Sequence, residues 1–274
     1  MIAFCHIEKT AGSSLNRLLY RELGWRHCVV THWLSKGNAF GQDRAFTSKD
    51  LKRLKRIYPC LKSISGHSIK PWSDLDDICP DIHFYTFMRD PIMRTISHYQ
   101  HRVLKSNYTE SFHSWISNTD RHNWQVRFLA GKNDFEKAKD MLVNKITFVG
   151  IQEYYEKSLN LLSRNFSLEF NKNEITKANK ARSDEIKKKI LSDKKSIEII
   201  KDANDLDIKL YNIACNIFKN YSENFLYEDE ETSKIKNYFL RKIKYISGKA
   251  YRNYIYKPAV FVYRNTHNPH DVIK

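Results

Sequence analysis

The N-terminal segment constrains the fold of this chain more than any other. Residues 2–7 form an apolar, strand-like run, and after a short turn apolar side chains recur at helical spacing from Leu15 to Leu23. This order predicts a β-strand over 2–7 and an α-helix over 13–23. In such a unit the backbone N–H groups of the turn and the helix dipole point to one spot, which favours a bound anion.

The turn between strand and helix contains the residue types that an anion site needs. Lys9 adds a full positive charge, and Gly12 lets the backbone approach a ligand closely. The predicted ligand-binding residues are Lys9, Thr10, Ala11, Gly12, Ser13 and Ser14. The turn differs from the triphosphate loop of kinases and GTPases, because there the lysine follows the glycines, whereas Lys9 precedes Gly12. A ligand carrying phosphate or sulfate is therefore predicted here.

A second anion site is predicted about eighty residues further on. Residues 83–88 form an aromatic and β-branched run that predicts a strand, and residues 91–105 follow as a helix. Asp90 is suited to cap that helix, and Pro91 is tolerated at its first position. Arg89 lies at the predicted strand end and Ser97 two turns into the helix. A guanidinium fork suits a terminal phosphate, and a hydroxyl can complete its shell.

These two segments resemble those of sulfotransferases that use 3′-phosphoadenosine 5′-phosphosulfate. Lys-Thr-Ala-Gly-Ser-Ser at 9–14 resembles the family's 5′-phosphosulfate loop, and Arg-Asp-Pro at 89–91 with Ser97 resembles its 3′-phosphate site. The start, His-Ile-Glu-Lys-Thr-Ala-Gly-Ser-Ser-Leu, is similar to the Golgi-type carbohydrate sulfotransferases, which include heparan sulfate 2-O-sulfotransferase. That family usually has proline where this chain has Glu8. The resemblance implies a P-loop-like sulfotransferase fold, this donor, and a hydroxyl acceptor on a carbohydrate or glycan.

Weaker resemblances extend the match over about residues 2 to 220. Asn123 to Gly131 is similar to the family's Asn-x-Gln-x-Arg-x-Leu segment near the acceptor, which implies substrate-binding roles for Gln125 and Arg127. Asn204 to Tyr211 matches the family's closing helix.

Sulfuryl transfer requires charge stabilisation at the leaving oxygen and a base for the acceptor hydroxyl. Lys9 is predicted to act at the bridging oxygen between phosphate and sulfate; the alternative is that it only binds the 5′-phosphate. The transferred group carries less charge than a phosphoryl group, so no metal is predicted. His67 is the predicted base, since histidine suits proton transfer near neutral pH. Ser65-Gly66-His67 resembles the His-Gly-His of the 2-O-sulfotransferases with its first histidine replaced. The competing bases are His98, His101 and Glu153.

The whole pattern alternates strands and helices. Strands are predicted over 2–7, 27–31, 61–65, 83–88 and 146–149, and helices over 13–23, 48–57, 91–105, 134–143, 152–164, 183–191 and 204–219. This alternation predicts a three-layer α/β fold with a mainly parallel sheet. Ligands of such sheets bind at the carboxyl ends of the strands, where both anion segments lie.

Charge sets the C-terminus apart. The net charge is +16, and no acidic residue occurs between Thr232 and His270. We predict a sulfotransferase domain over 1–227 and a basic, aromatic extension over 228–274. Ile235, Phe239, Ile243 and Ile246 fall at helical spacing among lysines. This pattern therefore predicts that residues 232–264 form either a segment on an anionic membrane surface or a helix packed on the core.

Composition also bears on other function classes and on the location of the protein. A basic chain rich in tyrosine could bind nucleic acid, but this leaves both anion segments unexplained, so no nucleic acid is expected as a partner. A nucleotide kinase is the other alternative. The chain has no run of eighteen apolar residues, and its five widely spaced cysteines predict neither disulfides nor a zinc site. We expect a cytoplasmic enzyme, peripheral on the inner membrane face if the extension binds lipid.

Overall fold

The structure is a computed structural model that describes residues 1–30, 45–106, 108–171, 185–224 and 238–266. Its centre is a sheet of five strands: β1 (Ile2–Cys5), β2 (His27–Val29), β3 (Ser63–Gly66), β4 (His83–Met88) and β5 (Ile146–Ile151). The strands lie in the order β2-β3-β1-β4-β5, and every neighbouring pair is parallel. The predicted α/β fold with a mainly parallel sheet is confirmed.

Helices flank the sheet. They are α1 (Gly12–Leu23), α2 (Ser48–Ile57), α3 (Pro91–Ser106), α4 (Phe112–Ile116), α5 (Trp124–Ala130), α6 (Phe135–Asp140), α7 (Tyr155–Asn165), α8 (Glu185–Ser192), α9 (Lys194–Ala203), α10 (Asp205–Asn224), α11 (Tyr238–Tyr251) and α12 (Lys257–Thr266). π-helical turns follow α6 over Met141–Lys145 and join α11 to α12 over Arg252–Tyr256. Helices α4, α5 and α9 were not predicted. Residue 31 of the second predicted strand and residues 183 and 184 of a predicted helix lie outside the described residues. None of the helices described is long and apolar enough to cross a membrane.

The strand order places the two predicted anion segments at one point of the sheet. The chain leaves β1 toward β2 on one side, whereas β5 follows β4 on the other side, so the connections diverge between β1 and β4. Crevices of this kind, at the carboxyl ends of diverging strands, are where open α/β sheets bind ligands. Cys5 pairs with both Gly66 and Thr86, so β1 and β3 end at the same level and β4 ends two residues further on, at Met88.

Helices α5 and α10 cap each other. The carboxylate of Asp207 accepts hydrogen bonds from the backbone N–H groups of Gln125 and Val126, at 3.0 and 2.8 Å, at the start of α5. In return, Oδ1 of Asn123 accepts from the N–H groups of Leu206 and Asp207 at the start of α10. Each helix N-terminus thus finds its acceptor on the other helix, which satisfies N–H groups that would otherwise lack partners.

The described part of the C-terminal extension packs on the N-terminal part of the chain. Arg241 is buried and pairs with Glu22 of α1 at 3.0 Å, and Tyr256 and Val260 belong to the main hydrophobic core. Ile243, Ile246 and Phe239 were expected to be core residues if the segment packs. They instead remain 46%, 55% and 63% exposed. Ile235 and the predicted boundary at 227/228 lie outside the described residues. The segment packs, but through a face other than its apolar stripe.

Replacement of Gly248 by alanine tests this packing, because the sign of the change in the free energy of unfolding depends on whether α11 touches the core. A Cβ at this position would lie 2.5 Å from the carbonyl oxygen of Gly24 and 2.7 Å from Cδ1 of Tyr20. We expect Gly248→Ala to lower the free energy of unfolding by about 1–3 kcal/mol in urea denaturation. An unpacked helix would instead gain about 1 kcal/mol from the same change. Lys242→Ala, at an exposed position of α11, is the control and should change little.

Candidate active site

Three neighbouring strand ends form the site. His67 follows β3, the turn from His6 to Ala11 follows β1, and Arg89 follows β4. The N–H of His6 donates to the carbonyl of Gly66 at 3.3 Å, and Thr86 Oγ1 donates to the carbonyl of Cys5 at 2.8 Å. These bonds hold the two predicted anion segments and the predicted base at the same edge of the sheet.

The turn has a strained backbone. Lys9 and Ala11 adopt the left-handed backbone conformation, with φ of 70° and 68°, which residues other than glycine rarely take. The carbonyl of Ala11 accepts hydrogen bonds from the N–H groups of Ser14 and Leu15 and so begins α1. Thr10 is buried, and its Oγ1 donates to the carbonyl of Ile7 at 2.9 Å. The Thr10 hydroxyl therefore stabilises the turn from within, while Ser13 is exposed at the helix start.

Gly12 has a packing role that its sequence position does not reveal. A Cβ at Gly12 would lie 1.9 Å from Nε2 of His6, so only glycine leaves room for the buried imidazole beneath the helix start. The His6 ring lies 4.2 Å from that of His67 and stacks on Phe4 on its other side. Burial, followed by the nearby His67 and Lys9, lowers the pKa of His6 well below its usual value. His6 is therefore a neutral support beneath the turn.

Arg89 connects β4 to the turn. Its Nη1 donates to the carbonyl of Lys9 at 3.1 Å, and its Nε lies 3.9 Å from a carboxylate oxygen of Glu153. The backbone of Arg89 exchanges two hydrogen bonds with the Gln125 side chain, at 3.1 and 2.9 Å. Burial lowers the pKa of Arg89, and Glu153 opposes that shift.

Arg94 is a second buried guanidinium behind the turn. Its Nε donates to the carbonyl of Glu8 at 3.3 Å, and its Nη2 lies 3.2 Å from Nδ1 of His98. The guanidinium also stacks near the Trp124 ring, at 5.1 Å from its centroid. Burial lowers the pKa of Arg94 to about 10, although the Asp207 carboxylate favours its charge. Burial also raises the pKa of Asp207 to about 6.

The site is electropositive. Burial lowers the pKa of Lys9, the charges of Arg89 and Arg94 lower it further, and only Glu8 acts in the opposite direction. Among the described residues, Nε of Arg89 and Nη1 of Arg94 are buried without a hydrogen-bond partner. An anion in this position would favour all three charges, and it would accept a hydrogen bond from Nε of Arg89.

His67 has the tautomer that a base needs. Its Nδ1 lies 2.8 Å from the carbonyl oxygen of His6, and since a carbonyl can only accept, Nδ1 carries the proton. In the neutral ring Nε2 then has a free lone pair. The half-buried His67 is thus both oriented and able to accept a proton.

The competing bases are differently placed. His98 is buried between Arg94 and Glu8, and burial, with Arg94 next, lowers its pKa to about 2. Glu153 accepts hydrogen bonds from the N–H of Asp90 and the hydroxyl of Tyr211 through its two oxygens, at 3.2 and 2.8 Å. His101 is an exposed residue on α3, and the partial burial of its side chain lowers its pKa. Of these candidates, His67 combines access with a defined tautomer.

The remaining predicted site residues lie nearby but do different things. Both ends of the buried Gln125 amide bond the Arg89 backbone, so the observed contacts of Gln125 position Arg89; its contact with the acceptor stays a prediction. Arg127 is half-buried on α5, and its Nη2 lies 3.5 Å from the carbonyl of Thr119. Ser97 is half-buried on α3, two turns after Arg89.

Sequence reasoning missed His6, Arg94 and Asp207 as parts of the site. His6 lies in the quoted motif, and its position three residues before Lys9 was an available signal. Arg94 was indistinguishable from a surface arginine on an amphipathic helix. Asp207 lies more than eighty residues from the helix it caps, so no local pattern could reveal its role.

A family model named "Sulfotransferase family" matches residues 1–148, which is over half of the chain. The chain therefore belongs to the sulfotransferase family. No protein among the curated sequences matches it. Among solved structures, it is similar to a sulfotransferase from Alicyclobacillus acidocaldarius, with 13% identity, a TM-score of 0.42, and coverage of 73% of this chain and 93% of the other. The family match covers the turn, His67, Arg89 and Ser97.

Proposed function

We propose that this sulfotransferase transfers a sulfuryl group from 3′-phosphoadenosine 5′-phosphosulfate to a hydroxyl group of a carbohydrate or glycan. One observation carries the proposal. Lys9, Arg89 and Arg94 come together where the connections that follow β1 and β4 diverge, and His67 follows the neighbouring strand β3 with Nε2 unprotonated. The family model supports sulfuryl transfer in general. The nucleotide-kinase and nucleic-acid-binding alternatives are not favoured, because neither explains this family match.

The donor's two anionic ends fit the two cationic elements. The turn from Lys9 to Ser14, with the N-terminus of α1 behind it, suits the 5′-phosphosulfate. Arg89, with its buried Nε, suits the 3′-phosphate, and Ser97 would add a hydroxyl from α3. Arg94 lies behind the turn and adds positive charge without needing to contact the ligand.

The transfer needs one bond to form and one to break. The acceptor oxygen bonds to sulfur while the bond between sulfur and the bridging phosphate oxygen breaks. Lys9 would stabilise the negative charge that develops on that leaving oxygen. His67 Nε2 would take the acceptor proton, and its Nδ1–H bond to the His6 carbonyl would stabilise the resulting imidazolium. The products are the sulfate ester and adenosine 3′,5′-bisphosphate.

Two further aspects of the proposal rest on other observations. The carbohydrate acceptor is supported by the similarity of residues 6–15 and of Ser65-Gly66-His67 to carbohydrate sulfotransferases. A cytoplasmic location is supported by the cysteines, all five of which are free, with Cys5 and Cys28 deeply buried as thiols.

Lys9→Gln tests the function itself. The variant keeps a polar, unbranched stem and loses the charge, so turnover with the phosphosulfate donor should fall by about 10³-fold, the range for removal of one transition-state stabiliser. Binding of adenosine 3′,5′-bisphosphate, measured by calorimetry, should stay measurable. Lys62→Gln, at an exposed position, is the control. Wild-type protein that binds ATP but not the bisphosphate would contradict the donor assignment.

Arg89→Ala tests the orientation of the donor. Binding of adenosine 3′,5′-bisphosphate should weaken by about 2–5 kcal/mol, because one partner of a buried charge-assisted pair is removed. Adenosine 5′-phosphate, which lacks the 3′-phosphate, should lose much less. Since Arg89 also holds the turn, Arg89→Lys is measured beside it, and Arg17→Ala on the exposed side of α1 is the control. Equal losses for both nucleotides would show that Arg89 acts only on the turn.

His67→Asn tests the base. The asparagine amide can still donate to the carbonyl of His6, but it cannot accept the acceptor's proton. We expect transfer to fall by about 10²–10⁴-fold with unchanged bisphosphate affinity, measured by a radiolabelled-sulfate assay. His83→Asn, an exposed histidine at the start of β4, is the matched control. A fully active His67→Asn enzyme would move the base to His98, His101 or Glu153.

A further inference from the structure

The C-terminal helical segment, residues 238–266, has one buried face. α11, the π-helical turn and α12 follow one another without a break. Arg241, Gly248, Tyr256 and Val260 are buried, and their spacings of seven, eight and four residues place them on one side. Further bonds secure this side: Lys244 Nζ donates to the carbonyl of Glu22 at 2.9 Å, and Arg252 Nε to that of Val29 at 2.6 Å. The rotation of the segment about its axis is therefore determined.

The other face is apolar and exposed. Ile243, Ile246, Tyr254 and Phe261 are spaced by three, eight and seven residues, so they form a second stripe away from the core. Tyr254 is 78% exposed and Phe261 67%. Their exposed apolar neighbours are Leu240, Ile255 and Val262. Single exposed apolar side chains need no explanation, but a continuous stripe marks an interaction surface.

Lysines accompany this stripe. Lys242, Lys249 and Lys257 are exposed, and Lys242 and Lys249 are seven residues apart, on the same side of α11. No acidic residue occurs in the sequence between 232 and 270. An apolar stripe edged by lysines is the pattern of a helix that lies in a lipid interface. A second copy of the chain would bring these lysines against one another with no acidic partner from this segment, which charge complementarity disfavours.

We propose that the exposed stripe of residues 240–262 lies on an anionic lipid bilayer. Ile243, Ile246 and Phe261 enter the boundary between headgroups and acyl chains, Tyr254 lies at headgroup level, and the lysines contact anionic headgroups. The buried face meanwhile holds the segment to α1, so the whole protein is oriented at the surface. The proposal is independent of the sulfuryl-transfer chemistry, since no residue of the turn takes part.

Sedimentation of the full chain with vesicles tests the proposal. Vesicles of phosphatidylcholine and phosphatidylserine in a 3:1 ratio should bind the protein, and vesicles of phosphatidylcholine alone should bind it at least about tenfold more weakly. Binding to the anionic vesicles should weaken when salt is raised from 0.05 to 0.5 M, because the charge contribution is screened. Failure of the wild-type protein to sediment with anionic vesicles at low salt would overturn the proposal.

Paired variants separate the two contributions. The double variant Ile243→Gln with Ile246→Gln should bind anionic vesicles at least about tenfold more weakly, whereas Val143→Gln with Leu191→Gln, also exposed apolar positions, should bind like wild type. Lys242→Gln with Lys249→Gln should lose about fivefold for each lysine removed, and Lys188→Gln with Lys189→Gln on α8 should lose much less. Equal losses in test and control pairs would mean non-specific attraction by the net charge and would overturn the proposal.

Light scattering distinguishes lipid binding from the alternative that the stripe binds a second copy of the chain. A wild-type dimer that the Ile243→Gln, Ile246→Gln variant converts to a monomer would identify the stripe as a dimer interface and would overturn the lipid proposal. Adenosine 3′,5′-bisphosphate binding should be the same in all these variants. That readout also reports folding, because the vesicle face is separate from the turn.

Discussion

Main-chain carbonyl groups accept hydrogen bonds from the two guanidinium groups of this site, and the Glu153 carboxylate lies farther away, 3.9 Å from Nε of Arg89. Nη1 of Arg89 donates to the carbonyl of Lys9, and Nε of Arg94 donates to the carbonyl of Glu8. A carbonyl carries only a partial charge, so these bonds position the cations and leave most of their charge for a ligand. They also require the turn to present those carbonyls toward β4 and α3, which the left-handed conformation of Lys9 makes possible. These two bonds therefore tie the turn after β1 to the strand end of β4 and to α3.

Burial makes this arrangement costly without a ligand. Lys9, Arg89 and Arg94 each have a lowered pKa because desolvation disfavours their charge, and each disfavours the charge of another. A bound anion reverses both effects, so ligand binding should stabilise the folded protein as well as fill the site. A neutral molecule in the same position would leave these charges unpaired, so the same argument predicts that the site prefers anions.

The C-terminal helices show how a charged residue can lie on the packed face of a helix, beside the core residues Tyr256 and Val260. Arg241 is buried because Glu22 pairs with it at 3.0 Å, and Gly248 permits close contact with Gly24. Removing one partner of such a pair costs about 3–5 kcal/mol, since the other charge stays buried. That cost favours the orientation in which Arg241 faces α1. Ile243 and Ile246 are left on the outside and become available to a surface.

The sequence by itself determined the parallel α/β fold and all five strands within a few residues, because hydrophobic periodicity and turn chemistry are local properties. It also predicted two anion segments and His67 as the base, and these roles stay predictions. The tertiary structure alone decided that Arg94 is buried behind the turn, that Asp207 caps α5, and that the C-terminal segment packs by Arg241 rather than Ile243. In each of these cases a charged group is stabilised by a partner more than eighty residues away. Burial of charge depends on where its partner lies in space, and local sequence carries no record of that position.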